Sequence, residues 1–319
     1  MVNKVLITGG LGFLGGRIAK YFSDKGYAVI LATRKPENKF PKNIPANTLV
    51  MQLDYSSDEQ LNEAIKGIDT LIHLAGPNIH SSSYDPENII RYHVKLTERL
   101  LWAAKSNNLK KFIYLSTIHV YGKNLKNLVT EDTKPIPVHP FAEAHLAAEK
   151  ILASQADNVS VKIIRCSNSF GIPYFENEKC WKLIVNDLCK SAFQNGRLII
   201  NSSGQDYRDF ISVEYIVQAI HYLLELNDEK GIYDIYNLGS SRSTRIIDIA
   251  KKIQKELKDS FDNDCPIIKN KPSKEMDKPK HFILSTEKIK QLGFTSKLGD
   301  DEIFSLLNHC KMKYQLVTQ

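Results

Sequence analysis

The tightest constraint on this chain lies at its start, where the β-branched run KVLIT (4–8) leads directly into TGGLGFLGG (8–16). Gly10, Gly12 and Gly15 satisfy G-x-G-x-x-G, and Gly9, Gly12 and Gly15 satisfy the related G-x-x-G-x-x-G. Glycines at this spacing allow a tight turn and let backbone N–H groups approach a pyrophosphate at a helix N-terminus. GRIAKYFSDKG (16–26) then repeats apolar residues at helical spacing and stops at Gly26. Strand, glycine turn and helix in that order predict dinucleotide binding; a structural glycine turn is the alternative.

The same alternation continues. YAVILAT (27–33), TLVMQLD (48–54), DTLIHLAG (69–76) and KFIYLST (111–117) read as strands. Residues 56–65 and 88–104 read as helices between them. Asp54 or Ser56 is expected to start the first of these, and Asp85 with Pro86 to precede the second. Strands joined by helical crossovers predict an α/β fold, a doubly wound parallel sheet covered on both faces. VSVKIIRC (159–166) is a sixth strand, DCPIIKNKPSKEMDKPK (264–280) a surface loop, and 300–312 a last helix.

Composition narrows the class. With 43 Lys+Arg against 36 Asp+Glu the net charge is +7, and the stretch 251–290 alone holds eleven lysines and seven acids. No basic block is interleaved with aromatics, so a solvated face is expected and no nucleic-acid partner. No apolar run approaches the roughly 20 residues that span a bilayer, and none resembles a secretory leader, so no membrane partner is expected. The five cysteines include no C-x-x-C pair, which fits reduced thiols and a cytoplasmic location. Nine histidines without ligand spacing predict no metal.

The end of the second strand bears on the dinucleotide. An acid there would bond the ribose hydroxyls of NAD. The chain instead has Ala32-Thr33-Arg34-Lys35, with no acid before Glu37. Two cations suit a ribose 2′-phosphate, so NADP is expected. NAD stays the alternative if Arg34 is an exposed loop cation or stacks on adenine. Asp54 is placed to reach the adenine edge.

These segments resemble the extended short-chain dehydrogenases/reductases that act on nucleotide-sugars, nearly end to end. TGGLGFLG resembles the glycine motif and LIHLAG (71–76) the H-L-A-A segment lining the cofactor. IYLSTIHVYG (113–122) resembles the active-site strand, and IIRCSNSFGIP (163–173) the R-x-x-N-x-x-G-P segment. SGQDYRDFISVEYIVQAI (203–220) resembles G-x-x-x-R-D-F-I-x-V-x-D, and YNLGSSRSTRIIDIAKKI (236–253) the N-x-G-x-x-x-x-S/T-x-x-E-x-A helix start.

The resemblance implies a Rossmann domain, 1–166 plus about 211–240, and a smaller discontinuous substrate domain, about 167–210 plus 241–319. It also implies hydride transfer at a sugar carbon, usually carbon 4, a nucleoside-diphosphate sugar as ligand, and a homodimer. Gly9, Gly12, Phe13, Leu14, Gly15, Leu74, Ala75 and Gly76 would line the dinucleotide. Thr117 would hold the sugar oxygen, and Asn168 and Arg208 would meet the diphosphate, which suits a planar cationic fork. The plainer alternatives are a strand-end hydroxyl for Thr117 and a salt bridge to Asp206 or Asp209 for Arg208.

One departure matters. The family's acid/base pair, Tyr-x-x-x-Lys, aligns with Phe141 and His145 in HPFAEAHLAAEKIL (139–152), anchored by Pro140 and by Ala148-Glu149. A phenyl ring has no exchangeable proton. His145, one helical turn on, faces the same side as Phe141; it can bind the nicotinamide ribose, and an ordinary imidazole suits proton transfer. His119 is a second acid/base candidate, or a plain polar cleft residue. Ile118 and His119 replace the acidic pair of the family's dehydratases, which argues against 4,6-dehydration. Tyr121, His80 and Tyr84 are further candidates, although the V-Y-G tyrosine usually packs structurally; Lys150 has no tyrosine four residues before it.

Two functions follow. One is an NADP- or NAD-dependent epimerase, reductase or dehydrogenase of a nucleotide-activated sugar, its proton handled by His119, His145 or water. The other is a catalytically silent binding protein that regulates or partners an active paralogue.

Overall fold

Seven strands form one parallel sheet in the computed structural model, which describes residues 3–76, 85–123, 125–227, 231–270, 280–296 and 301–314. They are β1 (Lys4–Thr8), β2 (Ala28–Thr33), β3 (Thr48–Gln52), β4 (Thr70–His73), β5 (Lys111–Thr117), β6 (Ser160–Cys166) and β7 (Tyr233–Leu238), in the order β7-β6-β5-β4-β1-β2-β3. All seven residues of β6 and all four of β4 are buried, as crossover helices on both faces require.

The helices are α1 (Phe13–Asp24), α2 (Asp58–Ile65), α3 (Pro86–Ser106), α4 (Pro140–Ser154), α5 (Ile184–Asn195), α6 (Val213–Glu225), α7 (Ile246–Phe261), α8 (Glu287–Gln291) and α9 (Asp301–Tyr314). On one face of the sheet α1 and α6 supply Ile18, Phe22, Ile216 and Ile220 to the core. On the other, α2, α3 and α4 supply Leu61, Leu100, Leu101, Ala148 and Leu152. A separate core joins α5, α7 and α9 through Leu188, Ile253 and Leu307.

Local chemistry sets most boundaries. Asp85 caps α3 by accepting the N–H groups of Glu87 and Asn88, and Pro86 opens the helix where no N–H is needed. Ser57, rather than Asp54 or Ser56, caps α2, accepting from the Gln60 N–H. Asp54 is spent on its own turn, accepting from the N–H and hydroxyl of Ser56. Lysine is unusual at a buried strand start, but Lys111 Nζ bonds the Leu223, Leu224 and Leu226 carbonyls at the end of α6.

The stretch 264–280, expected to be a surface loop, is not loop throughout, and 271–279 of it lie outside the described residues. Ile267–Lys269 is a strand, paired in parallel with Leu198–Ile200. Three residues are too few to show a period, and the partner lies far away in sequence.

Candidate active site

In an open parallel sheet, ligands bind outside the carboxyl ends of strands where the strand order reverses. Here the reversal lies between β1 and β4. Their last residues, Thr8 and His73, are register partners, and Thr8 Oγ1 lies 2.7 Å from His73 Nδ1.

The glycine turn opens at that point. Gly9 has a φ of +70°, and its N–H donates to the Tyr55 hydroxyl, which in turn donates to the Ala32 carbonyl. Tyr55 is therefore a support of the loop that no motif template flags. The Gly10 N–H bonds the same Ala32 carbonyl at 3.2 Å, and a side chain at Gly10 would collide with Leu31 at 2.7 Å. α1 starts immediately after Gly12, so the N–H groups of Phe13, Leu14 and Gly15 fall in the first turn, where no intrahelical acceptor exists for them. A cradle of bare helix N–H groups that a Cβ would distort fits a pyrophosphate. Leu74 and Ala75 run past it, their N–H groups bonded to the Thr8 carbonyl and hydroxyl.

At the rim, Arg34 is exposed, with its guanidinium carbon 5.9 Å from the centre of the Tyr92 ring on α3. That is a cation–π distance. Asp54 is exposed too; its bonds to Ser56 hold its carboxyl below the usual range.

Three histidines meet around Phe141. Its ring lies 4.6 Å from His145, 6.0 Å from His139 and 6.5 Å from His119. His139 caps α4, Nδ1 accepting the Ala142 N–H; it drew no attention in the sequence because histidine is not a favoured cap. Thr117 ends β5, and its hydroxyl oxygen accepts the His119 N–H at 3.2 Å while its own proton stays available to donate. Burial first, then His139 and Arg208, pull the His119 imidazole down to about 4.

His145 differs from its sequence reading as an ordinary imidazole. It is only 6% exposed, and burial, followed by His93, His73 and His119, holds it well below the usual histidine range. Nδ1 lies 2.7 Å from the Tyr114 hydroxyl, while Nε2 faces Gly76, 3.8 Å from where a Cβ would stand. At neutral pH this ring is uncharged.

Asn168 donates from its side-chain amide to the Asp209 carbonyl, tying the strand Asn168–Phe170 to Phe210–Ser212. Arg208 donates to the Tyr207 carbonyl and lies 3.8 Å from Asp206, with 38% of its side chain exposed. A pairing of Arg208 with Asp209 is ruled out: that carboxylate is fully buried, accepting from the N–H and hydroxyl of Ser240 and the Arg242 N–H.

Of the further candidates, Tyr121 donates to Asn237 Oδ1 and accepts from Arg165, whose guanidinium pairs with the buried Glu149 at 2.7 Å. Burial pushes its phenol up to about 12, against the opposing pull of Arg165. Lys150 is exposed on α4. His80 and Tyr84 lie outside the described residues. Among the described residues, no group of three or more His, Cys, Asp or Glu could hold a metal ion, and no helix is long and apolar enough to cross a membrane.

Comparison with known proteins agrees with this architecture. A trifunctional UDP-glucose 4,6-dehydratase/UDP-4-keto-6-deoxy-D-glucose 3,5-epimerase/UDP-4-keto-L-rhamnose-reductase from Arabidopsis thaliana is 23% identical over 311 residues, 92% of this chain. The chain spans only 45% of that relative's length. A dTDP-D-glucose 4,6-dehydratase from Mus musculus is 26% identical over 322 residues, covering 94% of this chain and 86% of its own. Among solved structures, UDP-N-acetylglucosamine 4-epimerase from Methanobrevibacter ruminantium in complex with UDP-N-acetylmuramic acid superposes with a TM-score of 0.78 at 25% identity, over 100% of both chains. UDP-glucuronic acid 4-epimerase from Bacillus cereus in complex with UDP-glucuronic acid and NAD gives 0.78 at 21%, over 98% of this chain and 100% of that one. The family model described as "NAD dependent epimerase/dehydratase family" matches residues 5–239, and with the sheet order and glycine cradle above it, the chain belongs to that family.

Proposed function

We propose that this protein is an NADP-dependent oxidoreductase or epimerase of a nucleoside-diphosphate sugar, with a histidine in place of the family's catalytic phenol. The observation that carries the reading is the glycine cradle at the sheet's switch point together with, at the end of β5, the Thr117 hydroxyl and two histidines around Phe141. A bound nicotinamide dinucleotide supplies the hydride acceptor or donor at a sugar carbon, carbon 4 by family resemblance.

Each residue's part follows from its chemistry. The first-turn N–H groups of Phe13 and Leu14 bind the pyrophosphate, and Gly76 and His145 line the nicotinamide side. Arg34 and Lys35 meet a ribose 2′-phosphate, which is the support for NADP; NAD, present in complexes of the structural neighbours, is the alternative. Thr117 donates its proton to the sugar oxygen, and Asn168 and Arg208 hold the diphosphate. His119 or His145 exchanges the proton that accompanies hydride transfer. Ile118-His119, where the resemblance calls for an acidic pair, disfavours 4,6-dehydration.

Residues 1–166 and about 211–240 carry the dinucleotide in this reading, and about 167–210 with 241–319 the sugar nucleotide. A homodimer is proposed as well, on the family resemblance. The five unpaired, buried cysteines support a cytoplasmic location.

A second reading, a silent binding protein, is favoured by Phe141 itself, a ring with no exchangeable proton where the family resemblance calls for a phenol. One experiment separates the two. Small molecules released on denaturing the purified protein are identified by mass spectrometry, and NADPH and NADH oxidation with keto-sugar nucleotides is then assayed. NADP(H), or an empty site that fills with NADPH and turns over, supports the first reading. Retained NAD with a nucleotide-sugar points to an NAD epimerase and against the role given to Arg34. A nucleotide-sugar without dinucleotide makes the binding protein the better account.

A further inference from the structure

Beneath the site, four elements bring a chain of polar rings into an otherwise apolar core. His73 ends β4, His93 lies on α3, Tyr114 on β5 and His145 on α4, and each is buried. The Tyr114 hydroxyl is 2.7 Å from His93 Nε2 on one side and 2.7 Å from His145 Nδ1 on the other. A phenol carries one proton. It donates to one imidazole nitrogen and must accept from the other, so His93 Nε2 and His145 Nδ1 hold one proton between them.

Two arrangements satisfy that rule. In the first, His145 Nδ1–H donates to Tyr114, Tyr114 donates to His93 Nε2, and His145 Nε2 faces Gly76 as a bare acceptor. In the second, His93 Nε2–H donates to Tyr114, Tyr114 donates to His145 Nδ1, and His145 Nε2 carries its proton as a donor. His73 does not take part. The Thr97 hydroxyl donates to the His93 carbonyl at 3.0 Å, so it accepts from His73 Nε2–H at 3.3 Å, and His73 Nδ1 is left to accept from Thr8.

We propose that Tyr114 and His93 are positioning residues that set the proton on His145, making His145 Nε2 the atom that exchanges a proton with a sugar hydroxyl in the cleft. The phenol and base of the family's pair are thereby inverted: the imidazole stands in front and the phenol behind. This rests on the nucleotide-sugar reading above.

The proton step balances. The ligand O–H breaks and His145 Nε2–H forms, the electron pair staying on the ligand oxygen. His145 Nδ1–H passes its proton to the Tyr114 oxygen, and the Tyr114 proton passes to His93 Nε2, where the single positive charge ends. Because burial pulls His93 down to about 4, it holds the charge only while the hydride is away, and the proton returns along the same chain to the ligand oxygen when the hydride comes back. The other titratable groups facing the chain are His73 from β4, His119 beyond β5, and Glu149 from α4, whose charge opposes ionisation of Tyr114.

The test is side-chain 15N NMR of histidine-labelled full-length protein, wild type and Tyr114→Phe, paired with steady-state kinetics on whichever nucleotide-sugar is turned over. The expected wild-type result is complementary occupancy, one of His93 Nε2 and His145 Nδ1 protonated and the other bare. In Tyr114→Phe both resonances should move together, with kcat down about 100-fold and KM within about 2-fold. Wild-type spectra with both nitrogens protonated or both bare would overturn the proposal, as would a Tyr114→Phe protein that folds and keeps its kcat. The wild-type spectrum decides even if that variant fails to fold. If no nucleotide-sugar is turned over, the functional reading fails and the nitrogen pattern still tests the coupling on its own.

Discussion

Acid should destabilise this fold through its buried histidines, and replacing His93 with leucine isolates one share of that effect. His93 is 1% exposed and burial pulls its imidazole down to about 4 in the fold, against 6.5 for an unhindered imidazole. The folded state therefore binds this proton less readily than the unfolded chain. The stability it contributes is fully present above pH 6.5 and is lost as the pH falls from 6.5 through 4. The full difference is worth about 3 kcal/mol, and roughly 2 kcal/mol of it goes between pH 7 and pH 4.5. The assay is urea unfolding of wild type and His93→Leu at pH 7, 5.5 and 4.5. The variant loses a hydrogen bond to Tyr114 and starts lower, but its stability should fall across the window by roughly 2 kcal/mol less than that of wild type. Removing His93 also eases the ionisation of His145, which acts in the same direction. Parallel curves for the two proteins would refute the argument.

Three further predictions concern other parts of the molecule. Glu149→Ala leaves Arg165 charged and unpaired in a site where both are at most 4% exposed, and should cost about 3–5 kcal/mol, read as a lowered Tm; a loss under about 1 kcal/mol would show the pair to be dispensable. Gly10→Ala drives a methyl group against Leu31, so a destabilisation of about 1–3 kcal/mol with loss of dinucleotide binding by calorimetry is expected, and unchanged binding would contradict the account of the turn. His119→Ala should raise the KM for the nucleotide-sugar and leave dinucleotide affinity unchanged, because the ring sits beside Thr117 and Arg208 rather than at the glycine turn. Collapse of kcat with KM preserved would transfer proton exchange from His145 to His119.

Much of the fold was legible without coordinates. The strand β1, the glycine turn and α1 follow from residues close together in sequence, and the alternation of apolar runs with amphipathic stretches reads out the parallel sheet. The pairing of Phe141 with His145 was legible for the same reason, since positions four apart on a helix share a face. The choice of Ser57 over Asp54 as the α2 cap was not, because three neighbouring polar residues can all cap and local competition decides. The strand Ile267–Lys269 was also hidden, since its partner at Leu198–Ile200 is remote.

By itself the sequence determined the family, the class of fold and the glycine cradle, because each is encoded in residue identities or in spacings of a few positions. The tertiary structure alone decided the state and company of His145. Its burial against Phe141, its bond to Tyr114 and the further link to His93 depend on α3 and α4 crossing the same face of β5, an outcome of strand order and crossover packing. A titratable group takes its charge from its dielectric surroundings, and those surroundings exist only once distant segments have met.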